Sequence, residues 1–212
     1  MLQQRSRAAW SSSSTACQPA ILNREPEIGR PKKGASRVTK TAILDAALKL
    51  LDRDGEGGIT FRALAAEMGV TPMSITYHVG TRAQLLRALV EKVYAGVAVI
   101  PEFAEPNLRM RGLLQRYCES VTAHPHLALC ILADPSLWSE ELKVLTAAIR
   151  ECLRELRVPP ADLETVLGVM IDYVHGFAFS AAASRRRTSK DATPTLDDFL
   201  AGLDWLQRPL GV

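Results

Sequence analysis

Four cysteines, Cys17, Cys118, Cys130 and Cys152, are scattered through 212 residues without a CxxC pair. That spacing matches neither a zinc site nor a redox motif, and the cysteines read as small hydrophobes, three in helices and one in a tail. No apolar run approaches the roughly 20 residues of a bilayer span. The N-terminus has basic residues and a serine run, Ser11 to Ser14, but no apolar stretch of secretory length. A cytoplasmic protein with no membrane partner is the expectation. GxSxG, GxxxxGK[ST], HExxH and Rossmann glycines are all missing. The acidic pairs at 140–141 and 197–198 are adjacent, so on a helix they face different directions and suit no acid–base partnership. No enzyme, metal or cofactor is expected. Strand-like alternation and internal repeats are absent too, which leaves an all-α chain.

What is present is unevenly spread. Residues 1–40 hold eight Lys/Arg against Glu25 and Glu27, a local charge of +6, while residues 93–212 carry −3 and the stretch between is neutral. An N-terminal arm that meets a polyanion would be charged in this way, and so would a solvated tail. Residues 1–36 lack hydrophobic periodicity and are rich in Ser, Pro, Arg and Gln, and they read as a disordered basic arm. With 47% hydrophobic and 23% charged residues the whole is ordinary for a globular protein.

From Thr39 the texture changes. Ile43, Ala46, Ala47, Leu50 and Leu51 fall on one helical face, stopped by Gly55, Gly57 and Gly58. Thr60 stands as N-cap of a second helix, broken at Gly69-Val70. Thr71-Pro72 opens a short third helix, with proline at the first position where its missing N–H costs nothing. Gly80 closes it. Thr81 and Gln84 form a capping box for a fourth helix, expected to run to about Ile100 before Pro101. Downstream helices are expected over 107–123, 125–133, 136–156, 160–183 and 195–207.

The run 60–79, TFRALAAEMGVTPMSITYHV, is two short helices around a tight turn, the pattern of a helix-turn-helix. Thr71, Met73, Ser74 and Thr76 point outward and are small or flexible enough for a major groove about 12 Å wide. Ile75 and Val79 point inward. From Gly58 to Val90 the chain resembles the DNA-binding domain of the tetracycline-repressor (TetR) family, the resemblance extending over about 39–95. Its specific marks are the Tyr77-His78-Val79 block and the capped helix opening with Arg82 and Leu85-Leu86. The resemblance implies a three-helix DNA-binding domain at 37–82 and a helical ligand-binding and dimerisation domain at 83–212. It implies Arg62, Thr71, Met73, Ser74 and Thr76 as base-edge candidates, Arg62 foremost because a guanidinium clamps guanine bidentately. Thr60, Tyr77, His78 and Arg82 would hold phosphates. Tyr77 and His78 could equally pack, and Met73 could serve only to exclude water. Arg30, Lys32 and Lys33, in a GRPKK sequence, could enter the minor groove or attract phosphate without sequence preference.

The second domain resembles the family more loosely, through Ala123-His124-Pro125 and the helix ending Tyr173-Val174-His175-Gly176-Phe177. The resemblance implies a homodimer through the helices near 161–183 and 195–207, with Gly168, Gly176 and Ala181 to Ala183 permitting close approach. It also implies a pocket for a small-molecule inducer, with candidates Tyr117, His124, His126, Trp138, Met170, Tyr173, His175 and Phe177. Each of these could instead be core, and His124 and His126 a helix start. Ile131 stands where tetracycline repressors carry a metal-binding histidine, so no metal is expected. The Arg185-Arg186-Arg187 run reads as a solvated loop. The expected function is a ligand-released repressor that binds a palindromic double-stranded DNA operator as a dimer. An activator, a ligand-independent regulator of the same fold, or a helical interaction module are the alternatives. The last needs neither Arg62 nor a Pro-opened short helix.

Overall fold

Threonine starts five of the described helices. The computed structural model describes residues 38–99, 105–186 and 193–208. Helix α1 (Lys40–Asp54) follows Thr39, α2 (Phe61–Met68) follows Thr60, α3 (Pro72–Val79) follows Thr71 and α4 (Arg82–Val93) follows Thr81. In each case the threonine oxygen accepts a backbone N–H two or three residues into the first turn, a bond that contributes about 1 kcal/mol. Thr81 adds the reciprocal bond, its own N–H donating to the Gln84 side chain at 2.8 Å. Beyond them lie α5 (Pro106–Ala123), α6 (Pro125–Ala133), α7 (Glu140–Glu155), α8 (Leu163–Arg186) and α9 (Leu196–Gln207), the last behind Thr195.

The head is built by α1 to α3 around Ile43, Ala47, Leu51, Leu64, Ala65 and Ile75, with Leu85 and Leu89 of α4 closing it. Gly69 makes the turn between α2 and α3. It sits in the left-handed region (φ 66°, ψ 33°), where its N–H and that of Val70 return to the carbonyls of Ala65 and Ala66. The larger part of the chain is organised on α5, which packs against α7, α8, α6 and α9. Leu113, Leu114 and Val121 of α5 meet Leu145, Ile149 and Leu153 of α7 in this core.

Four expectations are corrected here. Helix α4 ends at Val93 rather than near Ile100, because Tyr94 leaves the helix and Gly96 turns the chain with φ 76°; Ile100 and Pro101 lie outside the described residues. The expected 136–156 helix is split. Pro135–Leu137 is a 3₁₀ turn, and Ser139 caps a separate α7 through its hydroxyl to the Leu142 N–H. Helix α8 starts three residues late, since Pro159 to Asp162 form a turn, and runs on to Arg186. Arg185 therefore belongs to a helix rather than a loop, and it donates to the Thr122 carbonyl; Arg187 lies outside the described residues. Lastly, α8 is apolar enough over Leu163–Arg185 to span a membrane by length and composition, its mean hydropathy being 1.4. Glu164, Asp172 and His175 interrupt its apolar run in the sequence. Leu163, Leu167, Met170, Val174, Ala178 and Ala181 set one stripe of it into the core. It is a core helix.

Cys118, Cys130 and Cys152 are buried and unpaired within the helices; Cys17 lies outside the described residues, as do Arg30, Lys32 and Lys33. The turn at Gly69 supports a specific expectation. Gly69→Ala should cost about 1–2 kcal/mol in urea denaturation, because a Cβ disfavours the left-handed backbone although nothing lies within 4 Å of it. Gly69→Asn should cost less than half as much, since asparagine tolerates this region.

Candidate functional site

Helix α3 is held by one face and open on the other. Ile75 and Val79 are buried, whereas Met73 and Tyr77 are 81% and 85% exposed. Thr71, Thr76 and, on α2, Arg62 are also exposed, and Ser74 is half-buried at the head of the helix. Arg62 has no ion-pair partner among the described residues, so its guanidinium is available. The caps constrain what the threonines can do. The oxygens of Thr60 and Thr71 accept from Ala63 and Ser74, which leaves each hydroxyl proton free to donate outward. Thr76 spends its proton on the Pro72 carbonyl at 3.1 Å and presents an acceptor instead. Tyr77 and His78 meet edge to face, ring centroids 5.2 Å apart.

Arg82 is engaged inside the protein. Its Nη2 reaches both the carbonyl of Glu56 and the Glu56 carboxylate at 3.0 Å, tying the start of α4 to the turn after α1. Two cations that sequence reasoning passed over stand beside His78: Lys40 at the start of α1 and Arg87 on α4 border the same open groove, of about 400 Å³. Both sit at sequence positions that look like ordinary surface. Only the packing of α1 and α4 around the end of α3 brings them together.

A second site lies in the larger part. A cavity of about 330 Å³ opens between α5, α6, α7 and α8, with Tyr117, Trp138 and His175 among its walls. Tyr117 Oη and His175 Nε2 are 2.7 Å apart. Burial pushes the Tyr117 hydroxyl well above its ordinary range and the His175 imidazolium below 6.5, an effect that nearby Asp172 partly offsets. At neutral pH both groups are therefore uncharged, and the imidazole tautomer sets which of them donates in the bond between them. The remaining wall is mainly Ile131, Leu142, Leu145 and Leu167. Thr146 spends its hydroxyl proton on the Leu142 carbonyl.

The other pocket candidates lie elsewhere. Met170 is buried in the core. Tyr173 stacks on Phe199 at 5.2 Å and donates to its carbonyl, and Phe177 packs on the same ring, so both fasten α9 to α8. Tyr173 is two residues from His175 and hence on the opposite side of the helix. Phe177 also borders a smaller hollow with Cys118 and Arg185. His124 and His126 lie where the head meets the core. His124 Nδ1 is 2.8 Å from Asp52 Oδ2 of α1, and the His126 ring lies against Gly55. Both histidines belong to the start of α6, whose Ala128, Ile131 and Leu132 wall the cavity.

The model for bacterial regulatory proteins of the tetR family matches residues 43–89, which are α1 to α4. Over this head the chain is similar to the TetR family. The class D tetracycline repressor protein of Escherichia coli is 35% identical over 60 residues. That alignment covers 28% of this chain and 28% of the repressor, so the likeness spans less than a third of either. Two solved TetR-fold structures each align with 82% of the chain. A BioQ crystallised with its double-stranded DNA operator aligns over 98% of its length at 24% identity and a TM-score of 0.62. A TetR variant of Acinetobacter baumannii AYE in complex with minocycline aligns over 97% at 22% identity and 0.63. At these identities they establish the fold, an all-helical TetR architecture with an N-terminal helix-turn-helix.

His175 carries a pH dependence with a definite sign. Its folded-state pKa is lowered, so the unfolded chain takes up the proton first. Its contribution to stability is intact above 6.5 and is lost as pH falls below that value. Denaturant melts at about pH 7 and pH 5 should show His175→Gln losing less stability on acidification than the wild type. The difference should be below the limit of about 1.4 kcal/mol per pH unit.

Proposed function

We propose that the protein is a ligand-released transcriptional repressor that binds a palindromic DNA operator as a homodimer. The observation that carries this reading is the double duty of α6. The helix walls the cavity with Ala128, Ile131 and Leu132, while the histidine that begins it is bonded to Asp52 of the head. A ligand that repositions α6 would thereby act on α1, and through it on the presentation of α3. Release then requires that the ligand favour the state in which the heads no longer fit DNA.

On the DNA side, Arg62, Thr71, Met73, Ser74 and Thr76 would face base edges. Thr60, Tyr77, His78, Lys40 and Arg87 would hold phosphates, and Arg82 would support them indirectly through Glu56. The BioQ with its operator and the minocycline complex, each of the same fold, support a DNA partner and a small-molecule partner respectively.

One α3 reads too few base pairs for specificity, so two are needed. The outer faces of α8 and α9 would pair the subunits. Val169 and Trp205 are exposed there, and an added Cβ at Gly176, two turns on from Val169, would meet nothing within one protomer.

The test is binding of the purified protein to DNA immediately upstream of its own gene over a salt series. Tight binding to a palindromic fragment is expected. Arg62→Ala should weaken it by about 10- to 100-fold and relax sequence preference, in line with the loss of one bidentate base contact. Lys40→Ala and Arg87→Ala should weaken binding to all sequences alike and make the salt slope shallower by about one each. Binding that is weak, steeply salt-dependent and indifferent to Arg62 would remove Arg62 from the reading head.

A further inference from the structure

The charges around the cavity do not cancel. Arg150 and Glu164 form a two-point fork, Nε to Oε1 at 2.7 Å and Nη2 to Oε2 at 3.1 Å, so this pair is neutral as a unit. Tyr117 and His175 are uncharged. Asp172 remains, an exposed carboxylate with no ion-pair partner among the described residues, on the same face of α8 as Glu164 and Gly168. Accepting the cavity as the effector site, we propose that it takes an amphiphilic monocation: an apolar or aromatic body carrying one protonated amine, with Asp172 as its counter-ion.

The physical argument is one of desolvation. In the empty protein the Asp172 carboxylate is hydrated. A ligand that fills the cavity displaces water from the side of Asp172 that faces it. A neutral ligand leaves that lost hydration uncompensated. An anion adds repulsion from Asp172 and gains from Arg150 only by opening the fork with Glu164. A cation replaces the lost water with a charge-assisted hydrogen bond, and the faces of Tyr117 and the half-exposed Trp138 favour positive charge further. The apolar wall of Ile131, Leu142, Leu145 and Leu167 then takes the uncharged body. A volume of about 330 Å³ is at the small end for ligand sites and suits a body of one or two rings.

Gly168 supplies the control. It lies between Glu164 and Asp172 on the cavity side of α8, and an added Cβ would meet no atom within 4 Å. Gly168→Phe can therefore occupy the cavity without a clash at its own backbone, and replacing a mid-helix glycine favours the helix.

The experiment uses three probes of one shape, 4-(2-naphthyl)butylamine, the corresponding alcohol and the corresponding carboxylate. Each is titrated calorimetrically into the full chain, into Asp172→Asn and into Gly168→Phe. The amine should bind about tenfold or more tightly than the alcohol, and the carboxylate most weakly. Asp172→Asn should bring the amine down to the alcohol while leaving the alcohol unchanged, and Gly168→Phe should abolish binding of both. Equal binding of amine and alcohol, or an amine preference that survives Asp172→Asn, overturns the charge assignment and leaves the cavity as a ligand site. Binding unaffected by Gly168→Phe, or no binding by any probe to a folded protein, overturns the cavity reading as well. A folded Gly168→Phe variant is shown by an unchanged circular dichroism spectrum.

Discussion

The arrangement depends on a nine-residue helix that cannot satisfy one neighbour without committing to the other. Helix α6 starts at a histidine bonded to α1 and ends against the turn at Asp134, and its sides carry Leu127, Cys130 and Ile131 into the core. So short a helix has little stability of its own in water. Its position is set by what packs around it, and those neighbours are the head on one side and the cavity on the other. Rotating or shifting α6 changes both environments together, because a close-packed interior responds by moving between discrete arrangements and not by gradual deformation.

The head is more self-reliant. Its threonine caps and the left-handed glycine between α2 and α3 fix the ends of three short helices by local bonds. The buried pair Ile75 and Val79 then fixes the rotation of α3 about its own axis. Exposure of Met73 and Tyr77 is a consequence of that rotation, since no apolar surface remains for them. Large exposed hydrophobic side chains on a short helix are costly to keep in water. Their presence on the outward face marks that face as one meant to be covered.

Much of this was legible in the sequence, for identifiable reasons. Thr60, Thr71 and Thr81 lie directly ahead of apolar periodicity, and a glycine follows each of α1, α2 and α3, so the head's boundaries follow from capping chemistry alone. The end of α4 falls short of Pro101 because Gly96, a weaker breaker than proline in general, turns the chain first with a positive φ. The Arg185-Arg186-Arg187 run reads as loop because charge in a row suggests solvent; in the fold α8 runs to Arg186, and the Arg185 side chain bonds the Thr122 carbonyl. Among the cavity candidates, Tyr117, Trp138 and His175 meet, whereas Tyr173 and Phe177 belong to the α8–α9 contact. Aromatic content identifies a helix rich in packing residues, but which side of it faces the cavity is settled by tertiary contacts. Lys40 and Arg87 carry no local signal, since charges at the polar positions of amphipathic helices are ordinary surface; Asp172 interrupts an apolar run, but that it borders the cavity is settled only by tertiary contacts.

Gly202 bears on how α9 lies along α8. A Cβ there would collide with the Tyr173 hydroxyl, whose bond to the Phe199 carbonyl leaves it no room to withdraw. Sliding α9 by one helical turn in either direction would bring Asp198 or Leu206 to this point, and both side chains are far too large for it. The two helices thus work like a key and its ward, with one notch and one tooth. Any surface that α9 presents outward inherits that single registration, so the spacing of whatever docks there is set by a missing methyl group on the inside.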